Sequence, residues 1–262
     1  MTTEAATDLG IAQALSAGSL PGSVHVLAVT ARPLQESADL GGLLHAFRRS
    51  GARLSLLCLT RGEGSTRRGG TGNARPGNVS TGNASTGRLE AARPWEVQMA
   101  ASILGIGQVT VGSYRDGALH RHQTSELAER IERAIIECSA GLVLVVAPET
   151  GDIADAAVAR AATAAALLAR VPVAARTRPG VSGAWTVDLG ADAEMARAIQ
   201  KSAAAAHTSQ ADALPALIER LDRLGRTETV RWLLSPARVP AQRFGDARAG
   251  GGLAESPRPR SE

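Results

Sequence analysis

Aromatic residues are scarce in this chain of 262 residues, at 2% of the total. A surface that binds nucleic acid by base stacking needs aromatic side chains among its basic residues, and the sequence has no such interleaving. With so few aromatic side chains, a core must be built from alanine, valine, leucine and isoleucine. The apolar content of 44% is enough for one sizeable core.

Cysteines and long apolar runs are also few. The two cysteines, Cys58 and Cys138, lie in apolar stretches without a CxxC or Cys/His cluster, so we expect buried thiols and no disulfide framework or zinc knuckle. No apolar run reaches the roughly 18 residues that a membrane span needs. The first residues lack a basic segment followed by an apolar one. These absences predict a cytoplasmic protein with no membrane partner.

Basic charge is concentrated in two segments that are poor in apolar residues. The chain has a net charge of +4 and a pI of about 10.0. Residues 61–93 carry a net charge of +4 and residues 238–262 a net charge of +2, so the rest of the chain carries −2. Because the excess does not lie on a folded face, we expect no specific nucleic-acid partner.

Short valine- and leucine-rich runs alternate with helical patterns along the chain. The predicted strands are 23–31, 53–60, 108–114, 141–148, 171–176 and 184–189, and the first two are expected to be buried. The predicted helices are 37–50, a helix from Trp95 onwards, 125–139, 153–170, 191–206 and 214–224. This alternation predicts an α/β fold, a Rossmann-like parallel sheet with helices on both faces.

The α/β domain is expected to span residues 21–234, after an N-terminal extension of residues 1–20. Residues 64–90 repeat a Thr/Pro-Gly-Asn unit with almost no apolar side chains, which predicts a flexible insertion. Residues 235–262 are rich in proline, glycine and arginine, which predicts a disordered tail. Ligands of such sheets bind beyond the carboxyl ends of the strands. A site would therefore be assembled from residues 32–36, 61–64, 114–117 and 148–155.

A series of short motifs follows the predicted strands in order. They are A-R-P-L-Q-E (31–36), G-G (41–42), T-R-G-E-G (60–64), R-P-W-E (93–96), D-G (116–117), G-D-I-A-D (151–155) and H-T-S-Q (207–210). Together they resemble the PIG-L (LmbE-like) family of zinc-dependent N-deacetylases. The corresponding family motifs are A-H-P-D-D-E, G-G, T-x-G-E-x-G, R-x-x-E, D-G, G-H-P-D-H and H-x-S-Q.

The resemblance implies that Arg32, Gln35 and Asp155 occupy the zinc-ligand positions of the family. Leu34 stands where the family has its general base, and Asp152 where it has a histidine that helps to stabilise the transition state. A guanidinium has no lone pair to give a metal, and leucine cannot accept a proton. We therefore expect no cofactor, and no hydrolysis by the family's zinc route.

Three polar positions match family residues that contact the sugar-like part of substrates: Glu63, Arg93 and Asp116. The resemblance thus implies a pocket for a small polar ligand, such as an aminosugar or polyol conjugate. A structural interpretation is equally open, in which Arg93 supports the fold and the D-G pair at Asp116 forms a turn.

Three functions stay open. The first is a pseudoenzyme of the family, a non-catalytic sugar- or polyol-binding or partner protein. The second is an active N-deacetylase or amide hydrolase of N-acetylaminosugar conjugates that binds zinc through a non-standard set such as Asp152, Asp155, Glu36 or His207. The third is metal-free chemistry with Arg32 as the electrophile. If the metal is lost, we expect Arg32 to pair with Asp155, or with Asp152 if the loop is shifted.

Overall fold

The computed structural model describes residues 24–63 and 82–236, without the side chains of residues 82–91. Seven strands form one sheet. They are β1 (His25–Thr30), β2 (Arg53–Thr60), β3 (Gln108–Tyr114), β4 (Leu142–Val146), β5 (Val173–Arg176), β6 (Ala184–Asp188) and β7 (Thr227–Leu234). The order across the sheet is β3-β2-β1-β4-β5-β7-β6.

The first five strands are parallel, and β1 lies between β2 and β4. The apolar runs of β1, β2, β4 and β5 are buried on both faces, as expected for a parallel sheet covered by helices, whereas β3 lies at the edge of the sheet and is partly exposed. The predicted α/β fold is confirmed, with one correction. Strand β7 was not predicted, and it runs antiparallel to β5 and β6, so the sheet is mixed. In β7, Glu228 lies on the same buried side as Val230. A charged residue at a buried position breaks the alternation of apolar and polar residues by which a strand is predicted from sequence.

Seven α-helices occur in the described residues. They are α1 (Gln35–Ala38), α2 (Gly41–Arg49), α3 (Gly82–Leu104), α4 (Thr124–Cys138), α5 (Ile153–Ala169), α6 (Ala193–Ala205) and α7 (Leu214–Asp222). The predicted helix 37–50 is therefore two helices, interrupted at Asp39 and Leu40. None of the described helices is long and apolar enough to span a bilayer.

Helix α3 begins well before the predicted start at Trp95. It takes in residues 82–90, the last part of the segment predicted as a flexible insertion. The reason is local: leucine, glutamate, alanine and arginine at residues 88–93 are strong helix formers, and they outweigh the lack of apolar residues before them. Residues 1–20, 64–81 and 237–262, which hold the rest of that insertion and nearly all of the predicted tail, lie outside the described residues.

Helices cover both faces of the sheet. On one face, Leu27 and Val143 belong to a core cluster with residues of α4 and α5, many of them alanines. On the other face, Val26 and Leu144 belong to a cluster with residues of α2, α3 and α6. Both cysteines are buried free thiols, as predicted.

The G-G motif allows α2 to pass close to α6. A Cβ on Gly41 would lie 2.8 Å from Cγ of Gln200, and one on Gly42 would lie 2.6 Å from Nη1 of Arg197. Gln200 in turn donates a hydrogen bond from Nε2 to the carbonyl oxygen of Ser37 at 2.9 Å. The two glycines thus fix the position of the segment that follows β1.

Candidate functional site

The site residues lie at the carboxyl ends of the parallel strands. The chain passes from β1 to β2 and β3 on one side, and β4 pairs with β1 on the other. Such a reversal of strand order opens a crevice in which α/β sheets bind ligands. Arg32 follows β1, and Asp152 follows β4 as the N-cap of α5, so these two residues lie on either side of the crevice.

Arg32 and Asp152 form an ion pair across this crevice. Nη2 of Arg32 donates to Oδ2 of Asp152 at 2.6 Å, and the two side chains are 30% and 26% exposed. Asp152 Oδ1 accepts the backbone N–H of Ala154 at 2.8 Å. Burial alone would raise the pKa of Asp152, but the Arg32 guanidinium and the first N–H groups of the helix outweigh it and lower that pKa. Of the two partners predicted for Arg32, Asp152 is the one found.

Asp155 binds Gln35 instead. Gln35 Nε2 donates to Oδ1 of Asp155 at 2.7 Å, and Thr150 Oγ1 donates to Oδ2 at 3.0 Å. The amide oxygen of Gln35 accepts the backbone N–H of Ala31 at 2.9 Å, which fixes the orientation of the amide. Burial raises the pKa of Asp155, and the two hydrogen bonds offset this only in part. Both carboxylate oxygens of Asp155 thus have donors.

Leu34 adopts a left-handed backbone conformation, with φ of 80° and ψ of −25°, at the N-cap of α1. This conformation costs a residue with a Cβ about 1–2 kcal/mol. The Leu34 side chain packs against an apolar cluster that contains Leu217 and Leu221 of α7. Leu34 therefore contributes packing between α1 and α7, and no proton acceptor.

Glu36 and His207 bind each other. Oε1 of Glu36 lies 2.6 Å from Nε2 of His207, and both side chains are fully buried. Ser37 Oγ also donates to Oε1 of Glu36, at 2.9 Å. These two residues, considered above as alternative zinc ligands, thus tie the segment after β1 to the segment after α6.

Glu63, Arg93 and Asp116 are brought together at the ends of β2 and β3. The backbone N–H of Asp116 donates to Oε1 of Glu63 at 2.9 Å. Burial lowers the pKa of Arg93, and the nearby carboxylates of Glu96, Asp116 and Glu63 act in the opposite direction. The arginine is 1% exposed. The cluster has the mixed donors and acceptors that a hydroxylated ligand would need, and it also contributes to the fold.

The R-x-x-E and H-x-S-Q motifs meet in space. Glu96 accepts hydrogen bonds from Thr208 Oγ1 at 2.8 Å, from Ser209 N at 2.7 Å and from Ser209 Oγ at 2.6 Å. Nε of Arg93 donates to Ser209 Oγ at 3.3 Å. A Cβ on Gly62, whose φ is +74°, would lie 2.9 Å from Nη1 of Arg93. The glycine of T-R-G-E-G therefore gives the guanidinium the room it occupies.

Sequence reasoning gave no individual role to several residues that shape this site. Thr150 fell within the predicted site segment 148–155 and Ser209 within H-T-S-Q, but the sequence did not predict which site residues their hydroxyls bind. Glu149 was also missed: Arg178 donates to its backbone carbonyl and Arg231 to its carboxylate. These contacts stabilise the turn before α5. The two arginines are distant from Glu149 in sequence, so the sequence does not indicate the pairing.

Comparisons with known proteins agree with the resemblance that the sequence motifs indicate. A family model described as PIG-L, GlcNAc-PI de-N-acetylase, matches residues 27–167. No curated protein sequence matches the chain.

Several solved structures are similar to this chain. A triple mutant of a deacetylase of the teicoplanin biosynthetic pathway has a TM-score of 0.59 at 18% identity, over 79% of this chain and 96% of that one. GalB, the 4-carboxy-2-hydroxymuconate hydratase of Pseudomonas putida KT2440, has a TM-score of 0.58 at 16% identity, over 81% and 97%. The N,N'-diacetylchitobiose deacetylase of Pyrococcus horikoshii has a TM-score of 0.55 at 14% identity, over 84% and 87%. At these identities the likeness shows a shared fold.

Proposed function

Because this chain belongs to the PIG-L family, we propose that it is a member whose site has exchanged zinc for bonds between its own side chains. It binds a small sugar-like or polyol ligand and does not hydrolyse it. One observation carries the proposal: Gln35 and Asp155, at two zinc-ligand positions of the family, bind each other at 2.7 Å. Arg32, at the third position, is paired with Asp152.

The residues at these positions do not fit a catalytic zinc ion, which takes three protein ligands from histidine, aspartate, glutamate and cysteine, plus a water. Arg32 carries a permanent positive charge that repels a dication. The amide oxygen of Gln35 already accepts the backbone N–H of Ala31, and both oxygens of Asp155 accept hydrogen bonds. Within residues 24–63 and 82–236, no three His, Cys, Asp or Glu side chains lie together in a group that could hold a metal.

The route from water to hydroxide is missing as well. Zinc lowers the pKa of bound water to about 7, and a general base then completes the activation. Leu34 stands at the base position and packs against the α7 cluster. Both carboxylate oxygens of Asp152 already accept hydrogen bonds, one from Arg32 and one from the backbone N–H of Ala154 at the N-terminus of α5. Asp152 therefore forms an ion pair and a helix cap instead of replacing the missing base.

The polar cluster of Glu63, Arg93 and Asp116 supports a hydroxylated ligand. Glu63 and Asp116 are partly exposed, and carboxylates accept hydrogen bonds from hydroxyl groups, so the two residues can recognise a polyol or an aminosugar conjugate while the buried Arg93 balances their charge. Of the three similar structures described above, two are named as deacetylases, one of the teicoplanin pathway and one N,N'-diacetylchitobiose deacetylase. Another is named as a hydratase, so the fold by itself does not decide the chemistry.

The test combines metal content, catalysis and binding on one preparation. After dialysis against a weak chelator, we expect far less than one zinc per chain, and a zinc affinity no tighter than about micromolar. We expect no acetate release from N-acetylglucosamine conjugates. Stoichiometric zinc that survives dialysis, or acetate release, would contradict the proposal.

Binding is measured by ligand-observed NMR with aminosugars and polyols. Glu63→Gln and Asp116→Asn should weaken it. The matched control is Glu219→Gln, which removes a carboxylate from an exposed pair with Arg223 at 3.7 Å. Equal binding by all three variants and the parent protein would place the ligand elsewhere.

A further inference from the structure

Three large apolar side chains are exposed in the last turns of α4 and α5. Ile136 is 65% exposed, Leu167 48% and Leu168 68%. The two helices pack along each other, and each ends shortly before a parallel strand begins, at the amino edge of the sheet. Single exposed apolar residues are common, but three at one end of two neighbouring helices form a surface that a further segment can cover. We call these three residues the amino-edge patch.

The chain enters the fold beside this patch. The backbone N–H of Gly141, three residues after the end of α4, donates to the carbonyl oxygen of His25 at 2.9 Å. A Cβ on Gly141 would lie 3.1 Å from Cγ2 of Val24. The residues that precede Val24 therefore approach the fold next to the last turn of α4. Four extended residues span up to about 14 Å, so residues 20–23 are long enough to bring the segment before them onto the patch.

The sequence of that segment has the pattern of a short helix with one apolar face. Thr7 is a favourable N-cap residue and Gly18 a favourable helix end. Between them, Ile11, Ala12 and Leu15 have the spacing that places side chains on one face of a helix. A helix of about ten residues is marginal in water by itself. It therefore needs an apolar surface to pack on.

The other two segments outside the described residues fit the patch less well. Residues 64–81 precede α3, which packs on the opposite face of the sheet. Residues 237–262 follow β7, whose Leu234 pairs with Val173 at the amino edge, so they do start near α5. Their large apolar residues are too far apart for one helix face, and prolines and glycines interrupt them: Val239, Phe244 and Leu253.

We propose that residues 8–18 form a helix that packs Ile11 and Leu15 on the amino-edge patch. The partner of the patch is thus a segment of the same chain, and the predicted N-terminal extension is part of the fold. The ligand crevice lies at the carboxyl edge of the same strands. The contact therefore holds the ends of α4 and α5 without covering the crevice.

Hydrogen exchange of the full chain, followed by mass spectrometry, tests the proposal. We expect the amides of residues 10–18 to exchange at least about tenfold more slowly than in a free peptide of the same sequence. Ile136→Ser and Leu168→Ser should each remove most of this protection, as should Leu15→Ser from the other side of the contact. Ile136 and Leu168 are exposed, so their variants keep the core intact. Circular dichroism confirms the fold, and either folded patch variant decides the matter.

The matched controls are Trp95→Ser and Met195→Ser. These residues are 68% and 57% exposed and lie on α3 and α6, which cover the other face of the sheet, so protection of residues 10–18 should be unchanged.

Four results would overturn the proposal. The first is exchange of residues 10–18 at the rate of the free peptide. The second is protection that survives both patch variants or is lost in a control variant, since the segment would then pack elsewhere. The third is protection of residues 237–262 that the patch variants remove, which would assign the patch to the tail. The fourth is protection that falls on dilution together with a dimer in sedimentation, which would assign the patch to a second copy of the chain.

Discussion

The amide nitrogen of Gln35 lies 2.7 Å from Oδ1 of Asp155, and the two residues are only 5% and 4% exposed. This bond joins the turn after β1 to the first turn of α5. In the function proposed above, this bond replaces a metal ion that would join the same two segments. The buried carboxylate of Asp155 has one amide and one hydroxyl as its donors. The loss of either donor should therefore reduce the stability of the fold.

Gln35→Ala should lower the free energy of unfolding by about 2–3 kcal/mol, because it removes a donor from a buried carboxylate. Asp155→Ala should also destabilise the protein. The double variant should lose less than the sum of the two, since neither partner is then left unsatisfied. Urea unfolding of the four proteins at neutral pH measures the coupling, and strictly additive losses would contradict a direct bond.

The Arg32–Asp152 pair should contribute less than a buried ion pair. Its side chains are 30% and 26% exposed, so we expect Arg32→Ala and Asp152→Ala each to cost about 1 kcal/mol, and coupling between them of under about 1 kcal/mol. Added salt should reduce the coupling further. A loss of the 3–5 kcal/mol that is typical of a fully buried pair would show that the crevice is closed in solution.

Restoring the family residues at the three ligand positions should create zinc binding. The variant carries Arg32→His, Gln35→Asp and Asp155→His, which supply two imidazoles and a carboxylate. We expect about one zinc per chain after dialysis against a weak chelator, with the unchanged protein run in parallel. A variant that folds and takes up no more zinc than the parent would mean that the two segments do not converge as the family's do.

His45 should make the protein less stable in mild acid. It is 4% exposed, and within the described residues neither ring nitrogen has a partner. Burial, followed by the charges of Arg49 and Arg48, lowers the pKa of His45, against a smaller opposite effect of Asp192. The unfolded chain therefore binds a proton more readily than the folded one. The contribution is fully present above the unfolded pKa of about 6.5 and is lost as the pH falls below it.

His45→Leu should reduce this pH dependence, measured as urea unfolding from about pH 7.5 to about pH 5.5. One proton accounts for at most about 1.4 kcal/mol per pH unit. His120→Gln changes an exposed histidine and serves as the control. His25, whose pKa burial also lowers, remains in both variants and keeps part of the slope. An unchanged slope in His45→Leu would mean that His45 titrates freely.

Gly42→Ala should destabilise the protein by about 1–3 kcal/mol through overpacking. The added Cβ would lie 2.6 Å from Nη1 of Arg197 and 3.0 Å from Oε1 of Glu228, two side chains that form a buried pair at 2.5 Å. Gly107→Ala is the matched control, because among the described residues outside its immediate chain neighbours the nearest atom to its Cβ would be the carbonyl oxygen of Leu54, at 3.8 Å. Thermal unfolding of both variants measures the difference, and equal midpoints would contradict the close packing of α2 on α6.

The sequence was sufficient to predict most of the sheet. Runs such as that of β2 (Arg53–Thr60) are rich in leucine and buried at every position after Arg53, and local composition decides such a strand. Strand β7 was missed because Glu228 lies on its buried side, where its charge is balanced by Arg197 and Arg176, both far away in sequence. A buried ion pair of this kind leaves no periodic signal in either segment.

At the site, the sequence by itself determined the chemistry of each position. Two zinc ligands and a base cannot be supplied by Arg32, Leu34 and Gln35 in any fold. A guanidinium has no lone pair for a metal and a leucine side chain cannot accept a proton, whatever surrounds them. Order along the chain also placed these residues after β1 and the two aspartates after β4.

Only the tertiary structure decided which residue bonds to which. Arg32 could have reached either aspartate, and the choice depends on the start of α5: Asp152 caps the helix and faces the crevice, whereas Asp155, one turn further on, is buried against Gln35. Likewise, Glu36 with His207 and Glu96 with Ser209 are joined across more than a hundred residues. Such pairings follow from how helices pack on the sheet, since hydrogen bonds reach about 3 Å and packing alone brings distant segments that close.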